Sequence, residues 1–108
     1  MPTAADQLDV AALRASADQA QALLKTLANR DRLLLLCQLV SGERNVSELE
    51  QSLGIQQPTL SQQLGVLRRE GLVCTRREGK QIFYCIDSPE ALAVLQTLYQ
   101  LFCNEESA

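Results

Sequence analysis

Apolar residues recur at helical spacing in two stretches near the start of the chain. Between residues 13 and 27 they form a single stripe, which predicts an amphipathic helix. Residues 33–40 are apolar on more than one face, which is typical of a helix surrounded by its neighbours. Asn29 is placed to cap this second helix and Gly42 to end it. The chain therefore begins with a surface helix followed by a central one.

Two shorter helices, separated by a tight turn, are predicted next. Asn45 with Glu48 three residues later has the form of a capping box, and Gly54 ends the short helix that the box opens. Pro58 suits the first position of the following helix, because a proline has no N–H to leave unpaired there. Leucines at helical spacing mark the buried face of that helix, which Gly71 ends. This pattern is typical of a helix-turn-helix.

After residue 72 the spacing changes to alternation, and residues 77–80 have the composition of a turn, so a two-stranded hairpin is predicted. A last apolar helix follows. The order helix, helix, short helix, helix, hairpin, helix predicts a mainly α fold with a small β-hairpin, the winged helix-turn-helix. One domain over residues 1–108 is expected. Its parts are the helix-turn-helix at about 45–70, the wing at about 72–87, and terminal helices at about 8–27 and 89–104.

Charge is unevenly distributed along the chain. The net formal charge is −3, but residues 56–86 hold five basic and two acidic residues, a local charge of +3 that leaves −6 for the remainder. A basic segment on an acidic body suits a protein that presents one face to phosphate. A solvated, charged hairpin would give the same count, so charge alone does not decide between the two.

Composition places the chain among globular proteins, with 46% hydrophobic and 21% charged residues. No apolar run is long enough to span a bilayer and no secretory signal is recognisable, so a cytoplasmic protein without a membrane partner is expected. In a reducing compartment the four cysteines are expected to be free thiols. Cys74 and Cys85, in the predicted hairpin, are interpreted as packing residues, with a reactive thiol at one of them as the alternative.

The exposed face of the predicted helix at 58–70 is short-chained, rich in amides and nearly free of acid. Glutamine can make two hydrogen bonds to adenine, Ser and Thr reach base edges or phosphate, and Arg and Lys bind phosphate. Arg76 in the wing is also suited to phosphate. A polar solvent face on a core helix is the alternative. The candidate DNA contacts are Gln57, Thr59, Ser61, Gln62, Gln63, Arg68, Arg69, Arg77 and Lys80.

A resemblance to a known family is carried by residues 27–33, 46–49, 60–64, 67–73 and 76–80, with Tyr84. Through these segments the sequence resembles, from about Ala20 to Phe102, the ArsR/SmtB family of bacterial transcriptional repressors. The resemblance implies a homodimer built on the first and last helices, whose recognition helices enter successive major grooves of an inverted repeat in double-stranded operator DNA. It also implies that a bound or covalent effector releases the DNA. Gln63 stands where the family usually has histidine.

Metal sensors of this family hold the ion through a Cys-x-Cys in the third helix or through Asp, His and Glu in the last. Residues 46–50 contain no cysteine and the chain has no histidine, so neither site is expected, and no metal or other cofactor is assigned. A soft metal ion or metalloid held by thiolates alone remains an alternative.

The placement of Cys37 and Cys103 resembles the BigR, SqrR and HlyU branch of the family, whose members respond to reactive sulfur species or oxidants. That branch carries one cysteine in the second helix and one in the last. The resemblance implies that Cys37 and Cys103 are the sensing pair, and that a disulfide or polysulfide bridge between them releases the operator.

No enzymatic activity is expected. Without histidine there is no Ser-His or Cys-His pair, and the chain has no phosphate-cradling glycine loop, so no catalytic residue is assigned. A winged helix that serves only as a protein-interaction module remains the alternative from another class, because the fold does not fix the function.

Overall fold

The computed structural model describes residues 9–103. It confirms the predicted winged helix-turn-helix and its order of helices and hairpin. The helix ends predicted at residues 8 and 104 lie outside the described residues. Within 9–103, no helix combines the length and apolar character that a membrane crossing requires. The elements are α1 (Val10–Leu27), α2 (Arg30–Val40), β1 (Arg44–Asn45), α3 (Val46–Leu53), α4 (Thr59–Arg69), β2 (Val73–Glu78), β3 (Gln81–Ile86) and α5 (Pro89–Phe102).

The start and stop signals of the helix-turn-helix act as predicted, with one small shift. Asn45 and Glu48 form both hydrogen bonds of the capping box at the start of α3. Gly54 ends that helix with a φ of 70°, a left-handed conformation that costs glycine least. Pro58 is displaced by one position, since α4 begins at Thr59 and Pro58 is the residue before it. The turn between the two helices is therefore set by local chemistry.

Helix α2 is the centre of the fold, as its pattern predicts. It packs against α1, α3, α4, α5 and β3, and its Leu35 and Leu36 have no exposed surface. Helix α4 contributes Leu60, Leu64 and Leu67 to the same core. Burial of a leucine side chain stabilises a fold by about 1.5–3 kcal/mol. Both helices that carry candidate functional residues, α2 and α4, are thus held firmly on their inner faces.

The sheet has three antiparallel strands in the order β1-β3-β2, whereas the sequence predicts only a hairpin. Strand β1 is the addition: Arg44 pairs with Tyr84, and Asn45 pairs with Phe83. Two residues are too few to show alternation, which is why the pattern does not reveal this strand. The pairing fixes the base of the wing beside the segment that leads from α2 into the helix-turn-helix.

Helices α1 and α5 leave large apolar side chains in solvent. Every residue of α1 from Val10 to Ala22 is exposed. Several large apolar side chains left exposed on the same helices are typical of a face that another molecule covers. The large apolar residues of α1 and α5 that are between 46% and 79% exposed are Val10, Leu13, Leu24, Tyr99, Leu101 and Phe102.

Candidate DNA interface and thiol pair

Helix α4 presents the polar face that the sequence predicts. Its leucines are buried on one side, and no residue of α4 is acidic. Such a face can approach the negative phosphates of DNA without repulsion. Of the predicted contacts in α4, Thr59 is half-buried, and the exposed ones are Ser61, Gln62, Arg68 and Arg69.

Gly65 lies within this exposed face. A Cβ built at Gly65 meets no atom within 4 Å, so the side of the helix above it is open. A helix without a side chain at this point can approach a flat partner more closely than one with any other residue.

Two predicted contacts, Gln57 and Gln63, are engaged within the protein. The Gln57 Oε1 accepts a hydrogen bond from the backbone N–H of Ser61 at 3.1 Å, which satisfies a donor in the first turn of α4. Gln63 is half-buried, and its Oε1 accepts a hydrogen bond from Arg32 Nη1 at 2.9 Å. These two amides therefore help to position α4, whereas Ser61 and Gln62 are exposed.

Arg32 is a structural residue that the sequence analysis does not select. Besides Gln63, its guanidinium donates to the carbonyl of Thr26 at 2.6 Å and to that of Lys25 at 3.4 Å. These carbonyls belong to the last turn of α1, where backbone acceptors lack helical partners and a cation is favoured. Arg32 thus ties the end of α1 to α4. The only sequence signal is a basic residue behind a helix cap, which is too common to indicate this role.

The wing carries three exposed cations, of which Arg77 and Lys80 are unpaired among the described residues and Arg76 is paired within the protein. Arg76 donates through Nε to both carboxylate oxygens of Glu43 at 2.9 Å, and its Nη1 lies 3.4 Å from Glu78. Part of its charge is therefore compensated within the protein, and a phosphate contact by Arg76 stays a prediction. Glu43 lies thirty-three residues earlier, so no local pattern predicts the pair.

The expectation of four free thiols is wrong for the wing. Cys74 and Cys85 are joined by a disulfide, whereas Cys37 and Cys103 are free. The reason is the strand register: Cys74 lies directly opposite Cys85, with their Cα atoms 5.4 Å apart, within the span of a disulfide. The sequence predicts the hairpin but not its register to the residue, so it could not reveal this pairing.

Cys37 and Cys103 lie on the two helices to which the resemblance assigns the sensing pair. Cys37 is near the end of α2, and Cys103 follows α5, with its N–H donating to the carbonyl of Tyr99 at 2.7 Å. Helices α2 and α5 pack against each other, and Cys37 lines a groove of about 520 Å³ between them. Both cysteines are exposed, so a small reagent can reach them.

Partial burial raises the pKa of the Cys37 thiol above its ordinary value, and the nearby Cys103 raises it further as a like charge. Among residues 9–103, no Lys or Arg side chain lines the groove to favour a thiolate. Cys37 is therefore mainly a protonated thiol near pH 7.

We expect alkylation of Cys37 by iodoacetamide to respond to pH in a defined direction. Because the pKa of Cys37 is raised, its thiolate accumulates only at higher pH than that of an ordinary cysteine, so at pH 8 it should react more slowly than a cysteine in a short peptide. Cys103→Ser removes the like charge and should move the reactivity midpoint to lower pH. Mass spectrometry of the Cys37 peptide measures both effects; an unchanged midpoint would contradict the coupling.

A family model described as "Bacterial regulatory protein, arsR family" matches residues 29–75. This range runs from the cap of α2 into β2 and includes the whole helix-turn-helix. The biofilm growth-associated repressor of Xylella fastidiosa (strain Temecula1) is 54% identical to this chain over 90 residues, which cover 83% of this chain and 79% of that protein.

Solved structures extend the similarity to the fold. The crystal structure of the transcriptional repressor BigR from Xylella fastidiosa is similar with a TM-score of 0.82 at 50% identity, covering 89% of this chain and 98% of that one. The solution structure of the homodimeric winged helix-turn-helix DNA-binding domain of Mb0332 from Mycobacterium bovis gives 0.70 at 34% identity, covering 86% and 85%.

Proposed function

Since the chain belongs to the arsR family of bacterial regulatory proteins, we propose that it is a homodimeric repressor that binds operator DNA and is released when Cys37 and Cys103 are bridged. The family and the relatives described above are transcriptional regulators, not enzymes. The observation that carries the proposal is the exposed, acid-free face of α4, next to a wing whose Arg77 and Lys80 are also exposed.

The geometry supports a division of roles among the predicted contacts. Helix α4 enters the major groove with Ser61 and Gln62 towards the base edges, and Thr59 contacts a base edge or phosphate at its start. Gln57 and Gln63 use their oxygens to position the helix and keep their amide N–H groups for the DNA. The residues assigned to phosphate are Arg68, Arg69, Arg77 and Lys80.

The dimer supplies the second recognition helix. The exposed apolar faces of α1 and α5 pack against the same faces of a second copy, in the self-complementary way of a two-fold interface. Two α4 helices related by that axis read the two halves of an inverted repeat. The Mb0332 neighbour, described as homodimeric, supports this assembly.

The sensing reaction is assigned to Cys37 and Cys103. One thiol takes a sulfur atom from a polysulfide to form a persulfide, or is oxidised to sulfenic acid by a peroxide. The second thiol then closes the bridge, with loss of hydrogen sulfide from the persulfide or of water from the sulfenic acid. The exposure of both cysteines and the packing of α2 on α5 support the assignment. The bridge joins α2 to the end of α5, one of the two helices assigned to the dimer interface.

We expect removal of the wing cations to change the salt dependence of binding to duplex DNA from upstream of the protein's own gene. Each lost phosphate contact lowers the slope of log K against log[salt] by about 0.9, so the variant Arg77→Ala/Lys80→Ala should lose a slope of roughly 3 to 4 per dimer. Fluorescence anisotropy between 50 and 300 mM salt measures it. The control Arg77→Lys/Lys80→Arg should keep the slope; an unchanged slope in the alanine variant would place the wing away from DNA.

Gly65→Ala is expected to move stability and DNA affinity in opposite directions. Alanine in place of a helical glycine stabilises α4 by up to about 1 kcal/mol, and the open space above Gly65 accommodates the methyl group. The same methyl group keeps α4 from its closest approach to the groove, so affinity should fall by roughly tenfold, the value of one base contact. Urea unfolding and anisotropy are measured on the same samples. Unchanged affinity would mean that this face does not contact DNA.

A further inference from the structure

One face of the wing carries a ladder of three cross-strand pairs. Cys74 lies opposite Cys85, Arg76 opposite Phe83, and Glu78 opposite Gln81. We call these three pairs the wing ladder. Because side chains alternate along a strand, all six point to the same side of the hairpin, away from the side on which Val73 is buried.

The ladder connects the disulfide to the attachment of the wing. The guanidinium of Arg76 lies 4.7 Å from the ring centre of Phe83, in a cation–π contact. The same guanidinium donates to Glu43, just before β1. The disulfide is the cross-strand pair next to Arg76 and Phe83. It therefore fixes the distance between β2 and β3, on which the contacts of Arg76 with Phe83 and Glu43 depend.

The disulfide can be reached from outside the core. Both cysteines are half-buried, and Cys85 lines an open groove of about 540 Å³ whose other walls include Val40, Glu43, Pro89 and Leu92. A groove of this size admits a small thiol. Cys37 lines a neighbouring groove, which shares Val40 as a wall.

We propose that Cys74 and Cys85 form a second redox-active pair, whose disulfide holds the wing in its DNA-binding position and is opened by low-molecular-weight thiols entering through the Cys85 groove. This inference rests on the proposed DNA-binding function. A thiolate attacks Sγ of Cys85 and forms a mixed disulfide, while Cys74 leaves as a thiolate and takes up a proton. A second thiol attacks the mixed disulfide, releasing the reagent's disulfide and the Cys85 thiol. Two electrons pass to the protein.

The two pairs then act in opposite directions. Oxidation of Cys37 and Cys103 weakens operator binding, whereas oxidation of the wing pair strengthens it by ordering Arg77 and Lys80 before the DNA arrives. A gain in affinity of roughly threefold corresponds to ordering about one such long side chain in advance. The wing pair therefore adjusts affinity, while the pair on α2 and α5 switches it.

The test uses the variant Cys37→Ser/Cys103→Ser, in which only the wing pair can respond. Its Kd for the upstream duplex is measured with and without dithiothreitol, and free thiols are counted by alkylation and mass spectrometry. We expect no free thiol and tighter binding before reduction, then two free thiols and roughly threefold weaker binding. The variant with all four cysteines replaced by serine should have the Kd of the reduced protein, and dithiothreitol should not change it.

A second measurement does not depend on DNA. Deuterium uptake by the peptide that spans residues 73–86 should rise on reduction, because the wing ladder loosens. Two free thiols before reduction, or equal uptake in both states, would overturn the proposal. An equal Kd with and without dithiothreitol would also overturn the proposal. That result would leave the proposed thiol switch of Cys37 and Cys103 unaffected. Absence of any DNA binding, together with increased uptake on reduction, would instead overturn the proposed function and retain the redox pair.

Discussion

Bridging Cys37 to Cys103 should lower operator affinity by roughly tenfold to a hundredfold, the usual range for coupling between two sites. The bridge ties the residue that follows α5 to α2. Tyr99 and Phe102, which are 61% and 79% exposed on α5, belong to the face assigned to the dimer. A displaced α5 therefore changes how the two copies meet, and with it the separation of the two α4 helices on the DNA.

The measurement compares reduced protein with protein treated with inorganic polysulfide, using anisotropy on the upstream duplex. The background Cys74→Ser/Cys85→Ser keeps the wing pair from contributing. Mass spectrometry identifies the bridge and the number of sulfur atoms it contains. Cys37→Ser and Cys103→Ser, each added singly, should bind like the reduced protein and lose the response. Equal affinity of reduced and bridged protein would contradict the switch.

Arg32→Ala is expected to destabilise the fold by roughly 3 kcal/mol. The substitution removes three hydrogen bonds from a charged donor, to Thr26, Lys25 and Gln63, and bonds of that kind contribute about 1.5–3 kcal/mol each before allowance for partial exposure. It also leaves the half-buried Gln63 amide without its donor. Urea unfolding measures the loss. We expect a lower midpoint concentration of urea and an unchanged dependence of the free energy of unfolding on urea concentration.

Arg30→Ala is the matched control, two residues earlier on the same helix. The Arg30 side chain is 87% exposed, and its ion pair with Asp31 is long, at 3.9 Å. An exposed pair of this kind contributes little, so a change below about 0.5 kcal/mol is expected. Arg32→Lys should fall between the two, because lysine keeps the charge but lacks the planar fork of donors. If Arg32→Ala lowered the free energy of unfolding as little as Arg30→Ala does, the hydrogen bonds of Arg32 between α1 and α4 would not contribute to stability.

The features that the sequence predicts are those with a local signal. Asn45 and Glu48 are three residues apart, so their capping box can be recognised in the sequence. The leucines of α4 repeat at helical spacing, so both its buried face and its exposed face follow. Most of the candidate DNA surface was predictable for this reason.

The features that the sequence does not predict depend on pairs brought together by the fold. Cys74 meets Cys85 through a register that alternation alone leaves undetermined. Arg76 meets Glu43, and Arg32 meets Gln63, across more than thirty residues. A count of basic residues therefore assigns Arg76 to DNA without revealing its partner Glu43.

Helix α2 carries both Arg32, which holds α4, and Cys37, the proposed sensor. They are five residues apart, about 7.5 Å along the helix axis. Because α2 is one continuous helix held on its inner face by the core, a displacement of its Cys37 end would be carried to Arg32 through the helix itself. No relay through loops is needed. Cys37 and Arg32 would therefore move together, as parts of one helix.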